Sequence, residues 1–159
     1  MADKVTSNTE LDYDRSVIGV EVEVGTFPVP RDQIVAFAVV VGETNPLYLD
    51  DDAARAQGFR GVVAPPTFYT VFPLEGGLDP KVTFGNTGFN AGQHCEFLEP
   101  IQAGDTITAR TKVADVFAKT GRTGTMAFIV RETSFYNQEG RLVVRVEHFY
   151  VRRNLERDD

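Results

Sequence analysis

Residues 66–75 read Pro66-Thr67-Phe68-Tyr69-Thr70-Val71-Phe72-Pro73-Leu74-Glu75. The stretch is apolar nearly all round. A surface helix carries one apolar stripe and a polar opposite face, so a helix over 66–75 has to be buried rather than laid on a surface. Pro73 lies inside it and should kink or shorten it. Gly76-Gly77 ends it. Beyond Pro80 the pattern changes to four strands, over 89–98, 106–117, 125–136 and 142–152. The third of these alternates Met126, Phe128 and Val130 with residues that include Arg131. Gly121-Arg122-Thr123-Gly124 and Asn137-Gln138-Glu139-Gly140 are the turns between strands. A single buried helix needs a sheet wrapped round it. The economical architecture is α+β: a curved antiparallel sheet of about five strands enclosing one helix.

Working back toward the N-terminus, Val17-Ile18-Gly19-Val20-Glu21-Val22-Glu23-Val24 sets Val against Glu and predicts a half-buried fifth strand over 17–24. Pro30 fits the first position of a helix. Ile34, Phe37, Ala38 and Val41 fall on one face of it, and Gly42 stops it. A short helix follows over 51–57, with Asp50 as its cap and Gly58 as its terminating glycine. Residues 1–16 are polar and lack periodicity, which predicts a flexible arm. Residues 153–159 predict a solvated charged tail, leaving one domain over 17–152.

The 159 residues, 42% hydrophobic and 25% charged, are one domain's length and ordinary globular composition. A chain of this size buries roughly two-thirds of its surface and needs no metal or disulfide to stay folded. Sixteen basic against 23 acidic residues give a net charge of -7, which disfavours a nucleic-acid partner. One cysteine, Cys95, excludes an internal disulfide and a multi-cysteine zinc site, and two histidines leave little for a histidine-rich one. The reading is therefore no metal and no cofactor. The apolar runs stop far short of the ~20 residues a membrane span needs. The start, Met1-Ala2-Asp3-Lys4-Val5-Thr6-Ser7, has no apolar core of a secretory signal. With the lone free thiol, this predicts a reducing cytoplasm.

Three further stretches carry chemistry. They are Gly42-Glu43-Thr44-Asn45-Pro46-Leu47-Tyr48, then Gly61-Val62-Val63-Ala64-Pro65-Pro66-Thr67-Phe68, and Phe97-Leu98-Glu99-Pro100-Ile101-Gln102-Ala103-Gly104-Asp105. In this order and spacing, over about residues 17 to 152, they resemble the MaoC-like and FAS1-like (R)-specific enoyl-thioester hydratases and dehydratases, which have the hot dog fold. The first stretch is similar to that family's hydratase motif Gly-Asp-x-Asn-Pro-Leu-His. The second resembles the lead-in to the family's central helix. The third resembles its Phe-x-x-Pro-(Ile/Val)-x-x-Gly-Asp strand junction. In the family, the Asp and His are implied to activate the water that adds to, or leaves from, C3 of the acyl chain. This chain departs from the motif at both positions, with Glu43 for Asp and Tyr48 for His. A carboxylate can replace a carboxylate, but a phenol of ordinary pKa about 10 is a weak base near neutrality. The resemblance is to a degenerate half, like the helper subunit of hydroxyacyl-ACP dehydratases, in which one domain has lost the pair and shapes the acyl tunnel. Gln93 in Gly92-Gln93-His94-Cys95 also looks like that branch.

The candidate catalytic residues are thus Glu43, Tyr48 and His94. The resemblance implies substrate binding at Asn45, Gly61, Ala64, Thr67 and Phe68, with backbone N–H groups of 61–64, Thr67 or Phe68 available to a thioester oxygen. Each has a plainer structural reading. Glu-Thr-Asn-Pro makes a good turn whatever the function. Tyr48 can pack or hydrogen-bond, and His94 can be a satisfied structural histidine. The Asp50-Asp51-Asp52 run is what a helix N-terminus favours anyway. His148 lies on one strand face with Val144, Val146 and Tyr150, as a buried or interface residue would. The implied partners are an acyl-CoA or acyl-ACP thioester and a second hot dog domain, as homodimer or as heterodimer with a catalytic subunit. Two alternatives remain open: a self-sufficient hydratase using Glu43 with Tyr48 or His94, and an acyl-thioester binding protein without chemistry.

Overall fold

Residues 66–75 do not form a full α-helix. In the computed structural model, which describes residues 10–155, they form a 3-10 helix over Pro66–Val71 and then an extended chain. The cause is local. Phe72 precedes Pro73, whose ring disfavours a helical residue before it, and Phe72 accordingly sits at φ -73, ψ 120. Phe68, Tyr69 and Phe72 are buried, while Pro66, Thr67 and Thr70 are exposed. The expected all-round burial is therefore corrected to burial of one face. No regular element occurs from there until residue 87.

That turn packs against one antiparallel sheet. Its strands are β1 (Val22–Pro28), β2 (Thr87–Phe97), β3 (Thr106–Gly121), β4 (Gly124–Tyr136) and β5 (Leu142–Arg153), in the order β1-β3-β4-β5-β2. The four strands after Pro80 match the expected ones to within a few residues. The first strand is corrected: it starts at Val22, not 17. Arg15–Val17 form a 3-10 turn capped by the Asp14 side chain, and Gly19, at φ 75, takes the chain out of strand geometry. The helices are α1 (Arg31–Val40) and α2 (Asp51–Ala56). Pro30 is the N-cap of α1 rather than its first residue, and Gly42, at φ 78, follows its end as expected.

The inner face of the sheet presents Ile107 and Ala109 of β3, Phe135 of β4, and Val144 and Val146 of β5, all nearly inaccessible. Phe68 is fully buried against them, edge-on to Phe37 of α1 at 5.5 Å and to Phe72 at 5.6 Å. Phe72 in turn stacks on Phe27 of β1 at 5.0 Å. A second cluster joins Val113, Val116, Ala118 and Ala127 with Val82 and Leu11. Of the arm expected over 1–16, residues 1–9 lie outside the described residues. Within 10–16, Leu11 is 5% exposed and the Asp14 N–H donates to the Pro80 carbonyl, so this part packs on the sheet. Of the expected tail, 156–159 lie outside the described residues, and Leu155 pairs with Asn86 through both its N–H and its carbonyl.

Asp105, 3% exposed, locks the far end. Its carboxylate accepts from the Gln102 N–H at 2.8 Å and the Gln138 side-chain amide at 3.0 Å, and pairs with Arg60. Its carbonyl accepts from the Val29 N–H. One residue thus ties together the chain after β1, the loop before β3, the β4–β5 turn and the loop after α2. Phe68→Ala removes the ring on which Phe37 and Phe72 both rest. Chemical denaturation should show a loss of about 3–5 kcal/mol, the range for a buried aromatic truncated in a core.

Candidate functional site

The segment 42–64 is held by its own polar residues. The Glu43 N–H donates to the Ala38 carbonyl at the end of α1. Asn45 Oδ1 accepts from the Leu47 N–H at 3.0 Å and opens a 3-10 turn over Pro46–Tyr48. Asp50 caps α2 as expected, accepting from the Ala53 N–H at 2.8 Å. Asp51 Oδ2 takes Arg31 Nε at 2.6 Å, while Oδ1 takes the Val62 N–H at 2.9 Å. The Arg31 bond first, and the Val62 bond after it, hold the Asp51 carboxyl below its ordinary range. A Cβ at Gly61 would lie 3.0 Å from Asp51 Oδ1 and press on this contact. Asn45 and Gly61, expected to bind substrate, are thus occupied in building the loop.

The loop delivers Leu47 and Tyr48 to a cavity of about 300 Å³, whose other walls include Phe59, Ala64, Phe97, Leu98 and Val144. Of the expected site residues, Tyr48 and Ala64 line it. Glu43 is half-buried and does not. Phe68 is corrected to a core residue, and Thr67 stands exposed beside the rim proline Pro66. His94 is corrected too. It pairs across strands with Glu147, while its neighbours Gln93 and Cys95 face His148 and Val146. Strand alternation therefore turns its imidazole to the outer face, away from the cavity. Glu96, on the same strand face as His94, is bonded to Arg145 at 3.0 Å. The ionisable side chains lining the cavity are Tyr48 and Glu99, and Glu99 is paired with Arg141 at 3.0 Å. Of the backbone donors expected here, Val63 and Ala64 give theirs to Leu47 and Ile101, Val62 to Asp51, and Phe68 to Pro65.

The sequence reading missed two further gaps over β4 and β5, separated from this cavity by the buried Val146 and Tyr69. Tyr69 donates to, or accepts from, Cys95 Sγ at 3.2 Å. Burial, with that contact second, pushes the Tyr69 phenol up to about 12, so it stays protonated. Beyond lies a gap of about 240 Å³ among Tyr69, Phe72, Gln93, Phe135 and His148. His148 also borders a third cavity of about 540 Å³, with Asp79, Arg131, Tyr150 and Arg152. The face shared by Val144, Val146, His148 and Tyr150 was legible in the sequence. The gap above it was not, because it depends on how short the turn at 66–71 is.

Among known proteins, the family model described as "FAS1-like, dehydratase domain region" matches residues 16–146. A relative from Thermobifida fusca, named only "UPF0336 protein", is 34% identical over 100 residues, covering 60% of this chain and 66% of that one. The chain thus spans just under two thirds of that relative's length. Among solved structures, the HadBC (3R-hydroxyacyl-ACP dehydratase) complex of Mycobacterium tuberculosis superimposes with a TM-score of 0.66 at 23% identity, covering 87% of this chain and 98% of that one. A MaoC-like dehydratase from Rhodospirillum rubrum gives 0.66 at 22% identity, covering 88% and 94%. These likenesses establish the hot dog fold that the three sequence stretches implied.

Burial, and after it the neighbouring Arg131, lower the His148 pKa below its ordinary 6.5. The unfolded chain therefore binds the proton more readily than the folded one. Stability from this group is full above about 6.5 and declines as pH falls through that value toward the lower folded pKa. Thermal melts of the native chain should lose more midpoint between pH 7 and 5 than melts of His148→Gln, measured in the same buffers.

Proposed function

We propose that this chain, which belongs to the FAS1-like dehydratase-region family, is the acyl-binding subunit of an (R)-specific enoyl-thioester hydratase, working with a second hot dog domain that carries the catalytic pair. The observation that carries this reading is the cavity at Tyr48. Tyr48 stands at the family's histidine position, and the cavity is walled by apolar side chains and, among the described residues, lined by no imidazole and no unpaired carboxylate. Hydration adds water across the C2–C3 double bond, with hydroxyl to C3 and a proton to C2. One group must take a proton from water and another must deliver one. Tyr48 can donate a hydrogen bond but is a poor base, and neither Glu43 nor His94 faces this space. What the cavity offers is apolar surface for an acyl chain, and the positioning that follows from holding it.

A partner is supported by the edge of the sheet. β2 is the last strand of the order, and almost every residue from Gly88 to Phe97 is exposed on both faces. Phe89 and Phe97 are among them, at 45% and 49%. A long, flat edge with exposed aromatics is a template for another strand. Adding a second sheet along β2 would also bring the partner's residues beside Phe97, which lines the cavity at Tyr48. Among the described residues, no helix is long and apolar enough to cross a membrane.

The decisive experiment is hydration of a trans-2-enoyl-CoA by the purified chain, alone and co-expressed with a hot dog protein bearing an intact Asp/His motif. The chain alone should give no turnover and the pair should. Turnover by the chain alone, lost in Glu43→Ala, would overturn the reading in favour of a self-sufficient enzyme. Leu98→Trp, at a half-exposed wall of the cavity, should weaken acyl-thioester binding about tenfold by displacing a few methylenes, with folding intact. Phe89→Lys should lower the assembled mass in analytical ultracentrifugation by breaking the β2 edge contact.

A further inference from the structure

The inward side chains of β2 and β5 stand in rows that cross from strand to strand. Phe97 is opposite Val144, Cys95 opposite Val146, and Gln93 opposite His148. Successive rows are two residues apart, about 6.6 Å. The cavity at Tyr48 reaches the first row, through Phe97 and Val144. The gap of about 240 Å³ draws Gln93 and His148 from the third. Cys95 and Val146, in the second row, line neither space.

The second row is a wall, and Tyr69 completes it. Val146 is fully buried and Tyr69 is 5% exposed. The Tyr69 hydroxyl is bonded to Cys95 Sγ, and its ring lies 6.3 Å from the Phe97 ring and 5.6 Å from that of Phe135. Swinging the ring aside would give up both aromatic contacts and leave a buried hydroxyl unpaired. The floor of the cavity is equally dense, because Val63, Ala64, Ile101 and Val144 are all buried. Its exposed rim is Pro66, Phe97, Leu98 and Pro100. A ligand that enters over this rim meets the wall one row in. At about 300 Å³ the space is at the small end of ligand cavities, which run from about 300 to 1,000 Å³.

We infer that this wall sets a length limit, so that the cavity at Tyr48 takes a short acyl group and Tyr69 is the residue that determines where the limit falls. The inference rests on the acyl-binding reading above and names the substrate class within it. A methylene that enters apolar cover adds affinity, and one that finds no cover adds none. Past the first row a chain has to displace the Tyr69 ring or Val146 from a close-packed layer, or turn back to water. Removing the ring joins the cavity to the gap beyond, where Phe72, Leu74 and Phe135 offer cover for further methylenes.

The test titrates hydrolysis-resistant thioether analogues of butanoyl-, hexanoyl-, octanoyl-, dodecanoyl- and hexadecanoyl-CoA, each below its micelle concentration, calorimetrically into the full chain. Affinity should rise by up to about fourfold per methylene and stop rising by octanoyl. In Tyr69→Leu the plateau should move outward, so that dodecanoyl binds at least about tenfold tighter than octanoyl. Tyr69→Phe restores the ring without the Cys95 bond and should bring the plateau back to octanoyl. Should Tyr69→Leu not fold, Val146→Ala thins the same wall and should move the plateau in the same direction, and the profile of the native chain decides the length limit without either variant. Affinity that climbs through hexadecanoyl in the native chain overturns the inference and leaves the acyl-binding reading standing. An unmoved plateau in folded Tyr69→Leu overturns the role of Tyr69. Binding at no length overturns both the inference and the reading it rests on.

Discussion

Phe68 resting between Phe37, Phe72 and the inner face of the sheet is the contact on which the rest of the structure depends. A five-stranded sheet has one face to bury, and here a six-residue 3-10 turn is the regular element that covers its middle. Three aromatic rings from that turn and its end, with Phe27 and Phe135 around them, close the centre. They do not reach the ends. At one end the sheet meets the Tyr48 loop, and at the other the irregular chain of 78–86. The cavities are where the cover stops, so the shortness of the turn and the presence of the cavities have one cause.

The same cause explains where the charges lie. A full helix over 66–75 would continue apolar cover toward β4 and β5. The extended chain after Phe72 instead brings backbone carbonyls over that region, and carbonyls call for donors. Arg131 and Arg152 supply them from the sheet. At the Tyr48 end, the loop spends its polar groups on itself: Asn45 caps, Asp50 caps, and Asp51 bridges Arg31 and Val62. What the loop leaves facing the cavity is apolar surface and one phenol, and Glu99, which also lines it, is paired with Arg141.

Much of this was legible in the residues. The four late strands, their turns, the Asp50 cap and the glycine ends of the helices follow from period and local chemistry. The three stretches at 42–48, 61–68 and 97–105 carried the family. Legibility failed where two local signals competed. The Val/Glu alternation over 17–24 reads as a strand, but Gly19 and the Asp14-capped turn delay it to Val22. The apolar run at 66–75 reads as a helix, but proline geometry at Phe72 ends it after six residues. His94 looked like a candidate acid or base because composition left so few others. Strand parity, fixed by pairing with Glu147, turned it outward.

The sequence by itself determined the class of fold, its family and the loss of the Asp/His pair, because residue identity and short-range periodicity carry these. The tertiary structure alone decided which residues share a space. Tyr48 and Ala64 meet Val144 across about 80–100 residues of chain only because β5 lies beside β2 and beneath the turn at 66–71. Arg131 and Arg152 share a cavity because β4 and β5 are in register and the chain above them is irregular. Contacts of that range follow from sheet order and from the length of the cover, and neither quantity is written in any local stretch of residues.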